Sequence, residues 1–197
     1  FRGLHESLKR MKTDYVDVMQ YHNPTVEECE KGNLITALKD MRKEGKVRWI
    51  GISTTLPHLP TFLEWGVFDV LQVSYSALGR AYEDWITKAA QSGMGIIINS
   101  GVAHGEPNQD SMDVGHIQRW KTFNDAGLDE LVEEGESRTT FILRYALTHP
   151  YSDTNIVGTS RIQHLEENVA GMMRGPLPKD VYAEAKHRLD AIGEKPK

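Results

Sequence analysis

A histidine at the end of a short apolar segment is the side chain of this sequence best placed to do chemistry. The pattern of residues 15–20 predicts a buried strand, Asn23 and Pro24 end it, and His22 therefore falls at its carboxyl end. In parallel α/β folds the chemistry sits at that edge of the sheet. An imidazole there can donate a hydrogen bond to a substrate oxygen on which negative charge builds. The alternative is a strand-end histidine that only caps nearby backbone.

A second candidate is the turn between a predicted strand at residues 155–157 and a predicted helix at residues 163–173. Its residues are Gly158, Thr159, Ser160 and Arg161. Unpaired backbone N–H groups and the positive end of the helix dipole make such a turn a natural anion site. The guanidinium adds a full positive charge. The alternative is an ordinary capped helix with a solvated arginine.

The elements that must position these residues alternate along the chain. Predicted strands cover residues 15–20, 47–52, 68–73, 95–98 and 155–157. Predicted helices cover residues 4–11, 33–44, 57–65, 82–92, 139–148, 163–173 and 179–192. Strands joined by helices favour a parallel sheet with right-handed crossovers, and apolar strands favour burial on both faces. Five such strands fit either an open doubly wound sheet or part of a (β/α) barrel, which needs eight strands and about 250 residues.

A long polar segment, residues 101–135, interrupts this alternation and carries Trp120 and Phe123 among charged residues. Loops of this length inside compact domains are usually functional or carry small helices of their own. In barrels such loops shape the substrate pocket. The alternative is a surface excursion held by two buried aromatic anchors, and the sequence leaves both interpretations open.

The composition excludes several classes of protein. The chain has 197 residues, 39% apolar and 26% charged, and a formal net charge of -5, which is ordinary for one globular domain with a sizeable core. No apolar run approaches the roughly 18 residues that span a bilayer, and no basic face predicts a nucleic-acid partner. Cys29 is the single cysteine and lies among glutamates, so neither a disulfide framework, a cysteine metal site nor a nucleophilic thiolate is expected. These features predict a reducing, cytoplasmic location.

Four segments, in this order and spacing, resemble the aldo-keto reductase family. They are SLKRM and TDYVD leading to His22, GKVRWIGIS from Gly45, FDVLQVSYS from Phe68, and IVGTS followed by LEEN from Ile156. They are similar to the family's fourth βα unit, its fifth and sixth strands, and the cofactor-phosphate segment of its eighth unit. The similarity covers residues 4–171, nearly the whole chain. It implies a (β/α)8 barrel that transfers a hydride from NADPH to an aldehyde or ketone.

The resemblance also implies roles for individual residues. His22 would orient the substrate carbonyl. The residues implied to hold NADP are Ser53, Gln72, Ser100, Gly158, Thr159, Ser160, Arg161, His164, Glu167 and Asn168. Ser53 and Gln72 would bind the nicotinamide carboxamide, which has both donor and acceptor edges. Arg161 would bind the 2′-phosphate that separates NADP from NAD. No metal is implied.

Two positions depart from the family's pattern. Thr54 stands where the family usually has an asparagine beside Ser53, and Asn99 stands where many members stack an aromatic ring on the nicotinamide. Ser53 also has a simpler interpretation, as a loop or helix-cap serine.

The family's general-acid tyrosine, with its lysine and aspartate, lies on the first three βα units, to which no segment of this sequence corresponds. We therefore expect residues 1–197 to form a single domain, the carboxyl-terminal five-eighths of an NADP-dependent aldo-keto reductase. We expect the chain alone to reduce no carbonyl and, with two exposed sheet edges, to associate or aggregate. One alternative is a catalytically inactive NADP-binding or regulatory protein on the same scaffold. The other is an unrelated α/β-barrel lyase or hydrolase.

Overall fold

The computed structural model describes residues 2–107 and 112–197. The chain packs into two compact units. The first comprises the segment up to Val73 together with Ala89–Ile96, and the second comprises Ser74–Lys88 together with Ile97–Lys197. The expectation that residues 1–197 form a single domain stays a prediction.

Strands and helices alternate through the described residues. The strands are β1 Val16–His22, β2 Val47–Ser53, β3 Val70–Ser74, β4 Gly95–Asn99 and β5 Thr154–Asn155. The helices are α1 Arg2–Met11, α2 Val26–Lys31, α3 Leu34–Lys43, α4 Leu59–Trp65, α5 Glu83–Gln91, α6 Val114–Asp125, α7 Arg138–Thr148, α8 Ile162–Met173 and α9 Lys179–Ala191, with a 3-10 helix at Leu128–Leu131.

The five strands form one sheet in chain order, from β1 to β5. The pairs β1–β2, β2–β3 and β4–β5 are parallel. Between β3 and β4, Gly95 N donates to Asp69 O at 2.9 Å in the first unit, and Tyr75 N donates to Asn99 O at 3.1 Å in the second. A doubly wound sheet reverses its strand order at a switch point, whereas the strands of a (β/α) barrel follow chain order. The order found here therefore favours part of a barrel.

One side of the sheet forms the core of the first unit. Ile50 and Ile52 on β2 are fully buried, and α3 packs on this strand with Leu38 buried. Successive side chains of a strand point to opposite sides of the sheet. Because Ile50 and Ile52 face the helices, Gly51 and Ser53 face the other way, towards the side where the candidate residues lie.

The sequence analysis missed the short helix α2. Its first turn is a capping box: Thr25 Oγ1 accepts from Glu28 N at 3.1 Å, and Glu28 Oε2 accepts from Thr25 N at 2.7 Å. These hydrogen bonds lower the pKa of the Glu28 carboxyl. The spacing Thr-x-x-Glu directly after Pro24 was the available signal.

Several predicted element ends move by one or two residues. The predicted strand at residues 15–20 extends through His22, and the one at residues 68–73 begins at Val70. The later start has a local cause, because the Asp69 carboxylate accepts from Ile50 N and from Arg42 Nη1, both at 2.9 Å. The predicted strand at residues 155–157 is Thr154–Asn155 in the structure.

The polar segment at residues 101–135 contains α6 and the 3-10 helix, and its residues 108–111 lie outside the described part of the chain. Trp120 and Phe123 on α6 are buried, and their rings stack with centroids 5.9 Å apart. Trp120 Nε1 donates to Ala103 O at 3.3 Å. Both rings are thus buried anchors, while other residues of the segment line two clefts of the second unit.

Candidate functional site

Three of the predicted residues lie in one row across β1, β2 and β3. His22 pairs with Ser53, and Ser53 pairs with Gln72. Residues paired in this way point to the same side of the sheet. Ser53 is buried, Gln72 is half-buried and His22 is exposed. The register therefore brings an imidazole, a hydroxyl and an amide together at the carboxyl ends of three adjacent strands.

Backbone hydrogen bonds hold these strand ends together. Asn23 N donates to Ser53 O at 2.7 Å, and Thr54 N donates to Gln72 O at 3.3 Å. The Thr54 side chain is buried, and its hydroxyl lies 3.5 Å from Thr55 O. Thr54, which replaces the family's asparagine, thus directs its only polar group towards the backbone.

His22 also lines an open cleft of about 670 Å³ between the end of β1 and the two helices that follow it. Other residues of its wall are Tyr21, Glu27, Lys31 and Leu34. Burial, and after it the Cys29 thiol, raises the pKa of the Tyr21 hydroxyl. The imidazole is accessible to a small molecule from this cleft.

Gln20 is a neighbour of this row that the sequence analysis did not select. Its Nε2 donates to Gln72 Oε1 at 3.2 Å. Gln20 lies two residues before His22 and so on the same side of the sheet. A polar residue inside an otherwise apolar strand was the signal that could have identified it.

In the second unit, Ser100 lies beside an amide at the end of β4. Ser74 Oγ donates to Asn99 Oδ1 at 2.6 Å, and Ser100 Oγ donates to the same oxygen at 3.3 Å. Asn99, which occupies the family's aromatic position, is thus held by two hydroxyl groups. Ser100 lines a cleft of about 220 Å³ whose wall also includes Tyr82 and Arg119.

The backbone after Ser100 adopts a conformation that side chains seldom allow. Ser100, Ala103 and His104 have φ values of 58°, 47° and 67°. Non-glycine residues in this left-handed region each cost about 1–3 kcal/mol and cluster at ligand clamps and active sites. Helix α6 holds the strained loop, since His116 Nε2 is hydrogen-bonded to Gly105 O at 2.7 Å.

Five of the predicted residues gather at one cleft of about 420 Å³ in the second unit. They are Gly158, Thr159, His164, Glu167 and Asn168. The rest of its wall comes from the strained loop and the start of α7: Val102, His104, Gly105, Glu106, Ser137 and Thr139. A cleft of this volume is within the range that holds small molecules and cofactors.

Ser160 and Arg161 are exposed and do not line this cleft. Thr159 Oγ1 accepts from Arg161 N at 3.1 Å, so the chain itself satisfies one N–H group of the predicted anion turn. The first amides of α8 follow directly, and a helix has no acceptor of its own for them. Gln163 Nε2 donates to Glu167 Oε1 at 3.1 Å across the first turn.

Metal-binding clusters and membrane-spanning helices are both absent from residues 2–107 and 112–197. No group of three or more His, Cys, Asp or Glu side chains in that part of the chain could hold a metal ion, and none of its helices is long and apolar enough to cross a membrane. Burial, and then the carboxylates of Glu28 and Glu30, raises the pKa of the Cys29 thiol, in line with the expectation that it is not a nucleophile.

A parallel sheet in chain order defines a (β/α)-type protein, and in such proteins ligands generally bind at the carboxyl edge of the sheet, where these hydrogen-bonding side chains lie. The sequence model of the aldo/keto reductase family matches residues 2–189. The chain belongs to that family, and the resemblance found from four segments is confirmed.

Two curated relatives illustrate the match. The chain is 25% identical over 199 residues to the uncharacterized oxidoreductase YqkF of Bacillus subtilis, covering 95% of this chain and 65% of that protein. It is 27% identical over 182 residues to L-galactose dehydrogenase of Arabidopsis thaliana, covering 87% and 57% respectively. The chain thus spans less than two thirds of the length of these relatives.

A solved structure confirms the fold. The holo form of aldo-keto reductase AKR11C1 from Bacillus halodurans superposes with a TM-score of 0.79 at 24% identity, over 95% of this chain and 63% of that one. The prediction of a partial (β/α)8 barrel with five parallel strands is therefore confirmed.

Proposed function

We propose that this chain binds NADPH and orients an aldehyde or ketone for reduction to an alcohol, as part of an aldo-keto reductase. The observation that carries the proposal is the row of His22, Ser53 and Gln72 at the carboxyl ends of adjacent strands. Membership of the family supports this chemistry. A solved Klebsiella pneumoniae aldo/keto reductase in complex with NADP and acetate, 21% identical to this chain, makes NADP the cofactor to test.

The groups in the row match the two reactants. When bound, NADPH supplies the hydride that adds to the carbonyl carbon. The His22 imidazole would donate to the carbonyl oxygen as negative charge develops there. The Ser53 hydroxyl and the Gln72 amide would bind the carboxamide of the nicotinamide, a planar group with one acceptor and one donor edge. A single row of side chains could then hold both reactants in a productive orientation.

Within the second unit, the cleft that Gly158 and Thr159 line would bind phosphate and adenosine groups. Gly158, Thr159 and Ser160 would contact phosphate through backbone and hydroxyl groups, while Glu167 and Asn168 would bind the adenine and His164 would lie near the adenosine. Ser100 would contact the pyrophosphate. The cleft wall carries the carboxylates of Glu106 and Glu167, which do not attract a phosphate. The positive charge for the 2′-phosphate would therefore come from Arg161.

We propose further that the chain alone binds cofactor without turning over a carbonyl. The tyrosine, lysine and aspartate that the resemblance assigns to the general acid have no counterpart among its residues. Turnover of a simple aldehyde with NADPH by the purified chain would contradict this proposal. The cytoplasmic location stays a prediction.

Cofactor binding is the first test of the proposal. NADPH and NADH are titrated into the purified chain and followed by the fluorescence of the reduced ring. We expect saturable binding of NADPH. We expect Arg161→Ala to weaken NADPH about tenfold, the equivalent of about 1.4 kcal/mol for one charge-assisted contact, and to leave NADH unchanged. Arg2→Ala, at the exposed start of α1, is the matched control. An equal loss for both cofactors, or no binding at all, would contradict the proposed site.

A non-catalytic NADP-binding or regulatory role on the same scaffold is the second candidate. The observation that favours it is Asn99, whose amide oxygen is occupied by Ser74 and Ser100 and which offers no aromatic ring. The two candidates differ in one measurement. A chain extended to the full length of its relatives would reduce carbonyls under the first, and would bind cofactor without turnover under the second.

A further inference from the structure

Gln20 reaches from β1 to β3 across a position on β2 that has no side chain. Gln20 pairs with Gly51, and Gly51 pairs with Val70, one row below the candidate residues. A Cβ atom at Gly51 would lie 2.7 Å from Gln20 Cγ and 3.3 Å from Gln20 Oε1. The glycine therefore leaves the space through which Gln20 Nε2 reaches Gln72 Oε1, 3.2 Å away.

This contact fixes which end of the Gln72 amide is available to a ligand. Its oxygen accepts from Gln20, so its NH2 group is left to donate. Gln20 Oε1 is buried, and no donor among the described residues reaches it. In the reverse arrangement both amides are turned round, so that Gln72 donates to Gln20. The Gln20 NH2 group would then occupy the buried position, and one of its N–H groups would have no acceptor there. Buried unpaired N–H groups are rarer than under-satisfied carbonyl oxygens, which favours the arrangement observed.

We propose that Gln20 is a positioning residue that sets Gln72 as a hydrogen-bond donor towards the carboxamide oxygen of the nicotinamide. The inference rests on the proposed function and deepens it, since it states which edge of the cofactor's amide this chain binds. The Gln72 NH2 group matches the carbonyl oxygen of the nicotinamide carboxamide, and it does not require the NH2 group of that carboxamide.

Two cofactors separate these edges. The 3-acetylpyridine analogue of NADPH keeps the carbonyl oxygen and replaces the NH2 group by a methyl group. If Gln72 presents its NH2 group, the chain can bind both cofactors through the carbonyl oxygen that they share. If Gln72 presents its oxygen, binding needs the NH2 group that only NADPH has. We expect the unmodified chain to bind the two reduced cofactors with dissociation constants within about twofold, because each extra unmatched contact would cost about tenfold.

Gln20→Glu reverses the direction of the hydrogen bond between residues 20 and 72, with a side chain of nearly the same shape. A carboxylate at this position can only accept, so Gln72 must turn its NH2 group towards residue 20 and its oxygen towards the ligand. We expect the variant to bind the acetylpyridine analogue at least about fivefold more weakly than NADPH. Gln20→Met, which removes the hydrogen bond and keeps the volume, should weaken both cofactors equally. Gln91→Met, on the exposed end of α5, is the control for the substitution itself.

The outcomes separate the inference from the proposed function. Binding of ADP-ribose 2′-phosphate, a compound that has no nicotinamide ring, reports whether each variant keeps the rest of its binding surface. NADPH binding by the unmodified chain with an unchanged cofactor ratio in Gln20→Glu overturns the role of Gln20 and leaves the proposed function standing. A strong preference of the unmodified chain for NADPH over the analogue also overturns the role of Gln20 and leaves the proposed function standing, and this measurement needs no variant. Failure to bind NADPH and the ADP-ribose derivative overturns both.

Discussion

Gly51 shows at the residue scale how a missing side chain determines what neighbouring residues can do. Gly51→Ala would place a methyl group 2.7 Å from Gln20 Cγ and 3.2 Å from Val70 O. Gln20 must then move, and the strand pairing leaves it little room. We expect the free energy of unfolding in urea to fall by about 1–3 kcal/mol, the usual cost of overpacking.

The control for this prediction is Gly3→Ala in α1. Apart from its chain neighbours and the nearby backbone of the helix itself, no atom of the described residues lies within 4 Å of the position that its Cβ would occupy. Alanine is the better helix former, so this variant should be more stable by up to about 1 kcal/mol. Equal stabilities for Gly51→Ala and the parent chain would show that Gln20 does not depend on the space over Gly51.

At the scale of elements, one buried arginine joins the start of α5 to the end of α9. Arg80 is 1% exposed; its Nε donates to Glu83 Oε2 at 2.7 Å, and its Nη1 donates to Asp190 Oδ1 at 2.7 Å and to Glu194 O at 2.9 Å. Burial by itself would lower the pKa of this guanidinium, and it is the largest single influence. The hydrogen bonds to Glu83 and Asp190, together with the charge of Glu83 and the Tyr145 hydroxyl, outweigh it, so the pKa is raised. The group is therefore charged at every accessible pH.

Arg80→Met should destabilise the chain by about 3–5 kcal/mol, because it leaves the buried Glu83 carboxylate without its main partner. Restoring neutrality in Arg80→Met/Glu83→Gln should recover part of this loss. Urea unfolding gives both values. Arg48→Met, which breaks the exposed pair with Asp17, is the matched control and should cost less than about 1 kcal/mol. A loss for Arg80→Met as small as the control's would contradict the prediction.

Helix α8 carries an apolar stripe that faces solvent. In this fully described helix only Gly171 is buried, against Thr140 of α7. The opposite side, at helical spacing, consists of Ile162, Leu165, Val169 and Met173, each more than half exposed. Contiguous exposed apolar surface of this kind favours association.

We therefore expect the purified chain to self-associate, in agreement with the sequence-based expectation. Leu165→Glu/Val169→Glu should shift its mass by light scattering towards that of one chain, since two charges interrupt the stripe. Glu166→Gln, an exposed change on the same helix, should not. A parent chain that is monomeric at high concentration would contradict this prediction.

At the scale of the whole molecule, stability should depend on pH through a buried histidine. Burial lowers the pKa of His149 below its ordinary value of 6.5. Its Nδ1 accepts from Tyr151 N at 3.2 Å, which requires the neutral ring. Because the folded-state pKa is the lower one, its stabilising contribution is complete above pH 6.5 and is lost as the pH falls through the folded value.

We expect the free energy of unfolding to fall between pH 7 and pH 5, by at most about 1.4 kcal/mol per pH unit for one proton. His149→Gln should reduce this slope, whatever its effect at pH 7, whereas His187→Gln on the exposed side of α9 should keep it. Urea titrations across this pH range give the slopes. Identical slopes for the parent chain and His149→Gln would assign the pH dependence to other groups.

The sequence by itself determined the elements and the family. Apolar periodicity over residues 47–52 and 95–98 predicted β2 and β4, because burial on both faces of a strand is visible locally. His22 followed from its position at a strand end, whereas Ser53 and Gln72 were implied by the resemblance to the family. The six residues of α2 were missed because so short a helix depends on its capping box more than on periodicity.

Only the tertiary structure decided which of these residues meet. The row of His22, Ser53 and Gln72 and the contact between Gln20 and Gln72 depend on strand register. A strand's own pattern tells which side each residue faces, but not which residue of the next strand lies beside it. Register, and the burial of residues far apart in sequence, are set by the packing of the whole chain and not by any segment of it.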